Sequence, residues 1–255
     1  MIGLAVVTLA GCDLVFKLEP APDASPLGAC PFLAPVPLPP FTDNVFDPSL
    51  RGDALELWFS RGGSELFSAR RAALSAPFER EVAADTLNTG ENESDPAPTA
   101  DGLRLFYSSG PSVIEARRAS QKADFTTPIA HADLPGQDLE GLDIAFDGLR
   151  IYYDHVDGLR SQARVTLDTP FLTAADLGPR RSFPSISHDE RELFFQDNQK
   201  IYRVLRANVT DPFDGTPELI LDGVDPEISD SGKLLVFKSI TADGFAVSER
   251  TCVDR

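Results

Sequence analysis

Residues 94–109 read Ser-Asp-Pro-Ala-Pro-Thr-Ala-Asp-Gly-Leu-Arg-Leu-Phe-Tyr-Ser-Ser. Asp95-Pro96 opens the stretch, and proline, with a fixed φ and no N–H, suits the start of a strand. Asp101-Gly102 supplies the left-handed residue of a tight two-residue hairpin turn. Beyond it, Leu103, Leu105 and Tyr107 alternate with Arg104 and Phe106, which is strand periodicity with β-favouring side chains on both faces. The stretch therefore predicts strand, turn, strand.

The same pattern recurs in FDPSLRGDALELWFS (46–60), GLDIAFDGLRIYYD (141–154), FPSISHDERELFFQD (183–197) and DPEISDSGKLLVFKS (225–239). The anchors Pro48, Pro96, Leu142, Pro184 and Pro226 recur about every 42 to 48 residues, a period that signals propeller blades. Each unit continues into a second hairpin carrying an arginine (Arg70, Arg117, Arg164, Arg206) and, seven or eight residues later, a phenylalanine (Phe78, Phe125, Phe171, Phe213). Four strands per unit make one blade. The prediction is an all-β, five-bladed β-propeller.

The last unit stops short. GFAVSERTCVDR (244–255) supplies its third strand, Arg250 stands at the arginine position, and the fourth strand is missing. Phe32–Val36 matches the fourth strand of the second unit, Phe125–Ile129, so the N-terminal segment is expected to complete the C-terminal blade and leave no open edge at the seam. Cys30 and Cys252 fall at corresponding places on either side of that junction, which predicts a Cys30–Cys252 disulfide and an oxidising compartment.

At 255 residues, with 42% hydrophobic and 25% charged residues, the composition is that of ordinary globular material, and its 18 Gly and 21 Pro suit many turns. The net charge of −17 opposes a phosphate backbone, so nucleic acid is not an expected partner.

Residues 1–11 are a short apolar run before Cys12, and Leu9-Ala10-Gly11-Cys12 resembles a bacterial lipobox, which implies a lipidated Cys12 as the mature N-terminus. Residues 12–29 are rich in Pro and Ala and read as a tether, with the propeller spanning 30–255. The repeat, best developed in LNTGENESDPAPTADGLRLFYSS (87–109), is similar to the WD40-like repeats of TolB-type periplasmic propellers and of bacterial envelope lipoproteins. That resemblance implies a non-catalytic binding or scaffolding module, lipid-anchored in the cell envelope, with a protein or a cell-wall glycan as partner.

A propeller gathers its first strands around a channel. The carboxylates expected there are Asp47, Asp95, Asp143 and Asp225, with Glu140 beside them. Such a ring suits a divalent cation. Asp47-Pro48, Asp95-Pro96 and Glu140-Gly141 also resemble the acid triad of five-bladed arabinanase-type glycoside hydrolases, which implies an alternative in which Asp47, Asp95 and Glu140 are catalytic. His131, His155 and His188 lack metal-ligand spacing and are read as turn or surface residues. No CxxC, Gly-x-Ser-x-Gly, phosphate-binding glycine loop or HExxH occurs, so the sequence points to no metal or other cofactor.

Overall fold

A computed structural model describes residues 30–42, 44–135 and 139–250. Five four-stranded antiparallel sheets are arranged as the blades of a propeller. Blade one is β2 (Val45–Leu50), β3 (Glu56–Arg61), β4 (Glu65–Arg70) and β5 (Val82–Ala83). Blade two is β6 (Glu93–Pro98), β7 (Arg104–Ser109), β8 (Ser112–Arg117) and β9 (Thr126–Ala130). Blade three is β10 (Leu139–Ile144), β11 (Arg150–His155), β12 (Gly158–Ala163) and β13 (Ala175–Gly178). Blade four is β14 (Ser182–Ile186), β15 (Glu192–Asp197), β16 (Lys200–Leu205) and β17 (Glu218–Asp222).

Blade five closes the ring. It takes β18 (Val224–Ile228), β19 (Leu234–Lys238) and β20 (Phe245–Glu249) from the C-terminal end and β1 (Val36–Pro37) from the N-terminal end. Val36 pairs with Val247, Pro37 with Ala246, and Phe32 with Arg250. The expected completion of the last blade is what the chain does. Cys12 and Cys252 lie outside the described residues.

The turn between the first two strands is longer than the two residues its Asp-Gly suggested. In blade two it runs from Thr99 to Leu103: Thr99 N–H donates to Arg104 O (2.9 Å) and Gly102 N–H to Thr99 O (2.7 Å). The Asp101 carboxylate accepts from Leu103 N–H at 2.9 Å and Gly102 takes φ +66°. Asp53, Asp147 and Asp189 accept in the same way from Leu55, Leu149 and Arg191. Where Gly102 stands, blade one has Ala54 and blade four Glu190, both held at positive φ by the hydrogen bonds around them.

The core lies between the blades. Strand alternation sends neighbouring aromatics to opposite junctions. Trp58 joins Leu105, Tyr107 and Phe125 of blade two, while Phe59 joins Val236 and Phe245 of blade five. Phe106 meets blade three, and Phe194 and Phe195 divide between blades five and three. Each such ring, sealed from water, contributes about 2 to 3 kcal/mol of burial.

The repeated arginine needs a correction in two blades. The structurally equivalent residues are Arg71, Arg118, Arg164, Arg206 and Arg250, each directly after its blade's third strand. Arg70 and Arg117 are strand-end neighbours. Each equivalent guanidinium lies over a phenylalanine: Arg71 over Phe78 (4.5 Å), Arg118 over Phe125 (4.5 Å), Arg164 over Phe171 (4.8 Å), Arg206 over Phe213 (4.3 Å) and Arg250 over Phe32 (4.7 Å). Four of these pairs are local in sequence. The fifth spans the seam and completes the set.

Candidate functional site: a carboxyl-lined central channel

Every blade carries a β-bulge in its first strand, just before the side chains that face the channel. The bulge needs a residue in the left-handed region. Asp47, Asp95 and Asp225 fill it at φ 52°, 50° and 50°, Gly141 at 80° and Phe183 at 53°. Aspartate tolerates this region better than most side chains, and the proline after it keeps the chain extended. The Asp-Pro pair is thus first a bulge signature. Its structural equivalent in blade three is Gly141, so Glu140 stands one position before the ring, and its side chain lies outside the described ones.

Three levels of side chains follow down the channel. The first holds Asp47, Asp95, Gly141, Phe183 and Asp225. Two residues further along each strand come Ser49, Ala97, Asp143, Ser185 and Glu227. The last level, Gly52, Ala100, Phe146, His188 and Asp230, sits in the turns. Asp47, Asp95 and Asp225 are therefore brought together, whereas Asp143 lies one level deeper beside Glu227 and Asp230. The last two were not anticipated, since neither follows the Asp-Pro pattern; position 227, two beyond the bulge residue, was the signal that could have found Glu227.

Hydrogen bonds within and across blades hold each level together. Ser60 Oγ donates to Asp47 Oδ2 at 2.7 Å, Asp47 N–H to Asp225 Oδ2 at 3.4 Å, and Asp95 N–H to Asp47 Oδ2 at 3.5 Å. Glu227 accepts from Leu50 N–H (2.8 Å) and Ser49 Oγ (3.3 Å) of blade one and from Ser185 Oγ (2.9 Å) of blade four. Asp143 accepts from Ile186 N–H of blade four at 2.7 Å.

So many carboxyls buried in one channel resist ionisation. Burial, reinforced by Asp47, pushes Asp225 up to about 8. Burial pushes Asp143 up to about 7, Asp230 adding to the effect against two backbone N–H donors. Glu227 is raised well above the usual range by burial and by Asp143, and Asp47 is raised by burial despite its Ser60 bond. Lys238, whose ammonium sits over the Phe46 ring, is the cation facing Asp47 and Asp225.

Little room remains. The space among the first-level residues is about 30 Å³ and that below it about 20 Å³, each close to the volume of one water. Phe146 and His188 meet with ring centroids 4.0 Å apart at the far mouth. Among the described residues, no group of three or more His, Cys, Asp or Glu is placed to hold a metal ion.

The chain is similar in fold to TolB. The structure of TolB from Acinetobacter baumannii matches with a TM-score of 0.51 at 13% identity, over 82% of this chain and 55% of that one. Hydrazine synthase of Kuenenia stuttgartiensis matches at TM-score 0.47 and 14% identity, over 83% of this chain and 64% of that one. A chain of a nidogen–laminin complex matches at 0.49 and 10%, over 78% and 73%. The chain thus spans less than two thirds of the TolB and hydrazine synthase chains. No protein-family model matches the sequence, and no curated protein matches it. At these identities the likeness to TolB is one of fold.

Proposed function

We propose that the chain is a non-catalytic binding or scaffolding propeller of the bacterial cell envelope, held to a membrane through a lipidated Cys12. The observation that carries the non-catalytic reading is the filled channel. Asp47 is engaged by Ser60 and by two neighbouring blades, and about 30 Å³ of space does not admit a sugar ring between Asp47 and Asp95. The two ends of the propeller, in contrast, present a surface for a protein or glycan partner. The lipobox-like Leu9-Ala10-Gly11-Cys12 and the Pro/Ala-rich tether support the envelope location.

A Cys30–Cys252 disulfide belongs to this reading. The antiparallel Phe32–Arg250 bridge at the seam supports it. Closing so long a loop contributes nominally about 5 kcal/mol.

Three measurements test the proposal. Palmitate labelling of cells is expected to mark the wild type and not Cys12→Ser, which leaves the membrane fraction. Crosslinking in envelope extract with a tagged chain is expected to capture a partner that excess untagged chain competes away. Hydrolysis of arabino- or xylo-oligosaccharides lost in Asp47→Asn would sink the non-catalytic reading.

A further inference from the structure

At four of the five blade junctions the repeated arginine reaches a polar side chain of the preceding blade, an acid at three and a tyrosine hydroxyl at the fourth. Arg118 reaches Glu56 of the preceding blade (3.0 Å), Arg164 reaches Glu115 (2.9 Å), Arg206 the Tyr152 hydroxyl (2.7 Å) and Arg250 Glu192 (3.2 Å). Arg71 should meet its counterpart in blade five. The register position occupied by Glu56 and Glu192 is there Leu234. Arg71 instead donates to two carbonyls, Ala54 O at 2.8 Å and Leu74 O at 3.2 Å, and makes no ion pair among the described residues.

The same junction opens into a cleft of about 850 Å³. Leu38, Leu50, Phe78, Leu234, Val236 and Val247 form much of its wall, with Leu74 exposed at the edge. The charged groups on the wall besides Arg71 are Asp53, paired with Arg51 at 2.7 Å, Arg250, paired with Glu192, and Lys233 and Glu249 of opposite sign. A mostly apolar cleft of this size, whose Arg71 guanidinium makes no ion pair among the described residues and has Asp53 as its acidic neighbour, is the form that small-ligand sites take. Arginine suits a carboxylate through its two parallel donors.

We propose that the blade five–blade one cleft binds a carboxylate with an apolar chain, of the fatty-acid type, the head on Arg71 and the chain along the Leu38–Val236 wall. The ligand's carboxylate occupies the role that Glu56 and Glu192 play at their junctions. The site is separate from the channel and does not depend on the envelope reading.

Titration of the full chain with decanoate labelled with ¹³C at its carboxyl carbon tests this by NMR. Saturable binding is expected, weakened about tenfold or more in Arg71→Gln and for decanol in place of decanoate. Leu234→Glu restores the acid present at two other junctions, so it is expected to abolish decanoate binding without lowering the melting temperature. This variant separates lost binding from lost folding. Absence of saturable binding in the wild type, or equal binding in both variants, overturns the proposal.

Discussion

Gly141 shows how one residue can be dictated from across a blade junction. It sits at φ +80°, and a Cβ there would stand 2.6 Å from the Cα of Phe183, a backbone atom that cannot swing away. Gly141→Ala is therefore expected to destabilise the protein by at least about 2 kcal/mol, read from the urea midpoint at constant slope. The sequence drew attention to Glu140 because it is acidic, while the geometric requirement falls on its neighbour. Arg118 is the second case: it stacks on Phe125, donates to Gly102 O and meets both oxygens of Glu56. Its neighbour Arg117 is bound to Glu115 and to exposed Asp168. Arg118→Ala should cost about 3 kcal/mol or more and Arg117→Ala less than about 1 kcal/mol, a contrast that equilibrium unfolding resolves.

Among the elements, β1 is as short as β5, two residues, and has the partner most distant in sequence. Two residues, Val36 and Pro37, with Leu33 N–H donating to Glu249 O and Leu38 N–H to Phe245 O, cover the outer edge of β20. Phe32 adds the Arg250 stack and an edge contact to Phe194 at 5.9 Å. A chain begun at Pro39 exposes that edge, and the expected outcome is a lower melting temperature with aggregation visible by light scattering, whereas one begun at Cys30 retains the native transition. Phe32→Ala, at a half-buried site, should cost about 1 to 2 kcal/mol, against about 3 to 5 for buried Phe125→Ala. Equal losses would mean that the seam is no looser than the other junctions.

For the whole molecule, the channel and the junctions respond to pH in opposite directions. Native carboxyls raised to about 7 at Asp143 and about 8 at Asp225, with Glu227 and Asp47 also raised, hold protons that the unfolded chain has released above roughly pH 4. Native protein then binds more protons than unfolded protein, so their stabilising effect, full below pH 4, is lost as pH rises to about 8, at most about 1.4 kcal/mol per pH unit for each group. The junction acids behave inversely. Glu115 is pushed down to about 2 by His131, Arg164 and Arg104 against its burial, and Glu56 is lowered by Arg118 and Arg70. Their contribution is present above about pH 4.5 and is lost as pH falls toward 2. Melting temperature is expected to peak in mildly acid buffer and decline to pH 8.5, with the decline reduced in Asp225→Asn/Glu227→Gln. A profile flat from pH 5 to 8.5 would contradict ionisation-resistant carboxyls in the channel.

Blade number, strand alternation and the completion of the last blade by the N-terminal segment were all legible in the sequence, because proline, Asp-Gly and alternating apolar residues act on the backbone within a few positions of themselves. The stretch at 94–109 carries the strand, turn and strand of one blade, and its four other copies give the number of blades. What the arginines touch, which acids share a channel level and where a junction lacks its acid were decided only in three dimensions. A bulge of one residue shifts which side chain faces inward, placing Gly141 and not Glu140 on the ring, and partners such as Arg118 and Glu56 or Arg71 and Leu234 meet only when neighbouring blades are docked in register. Contacts between blades are set by tertiary packing, and a repeat read along one chain does not contain them.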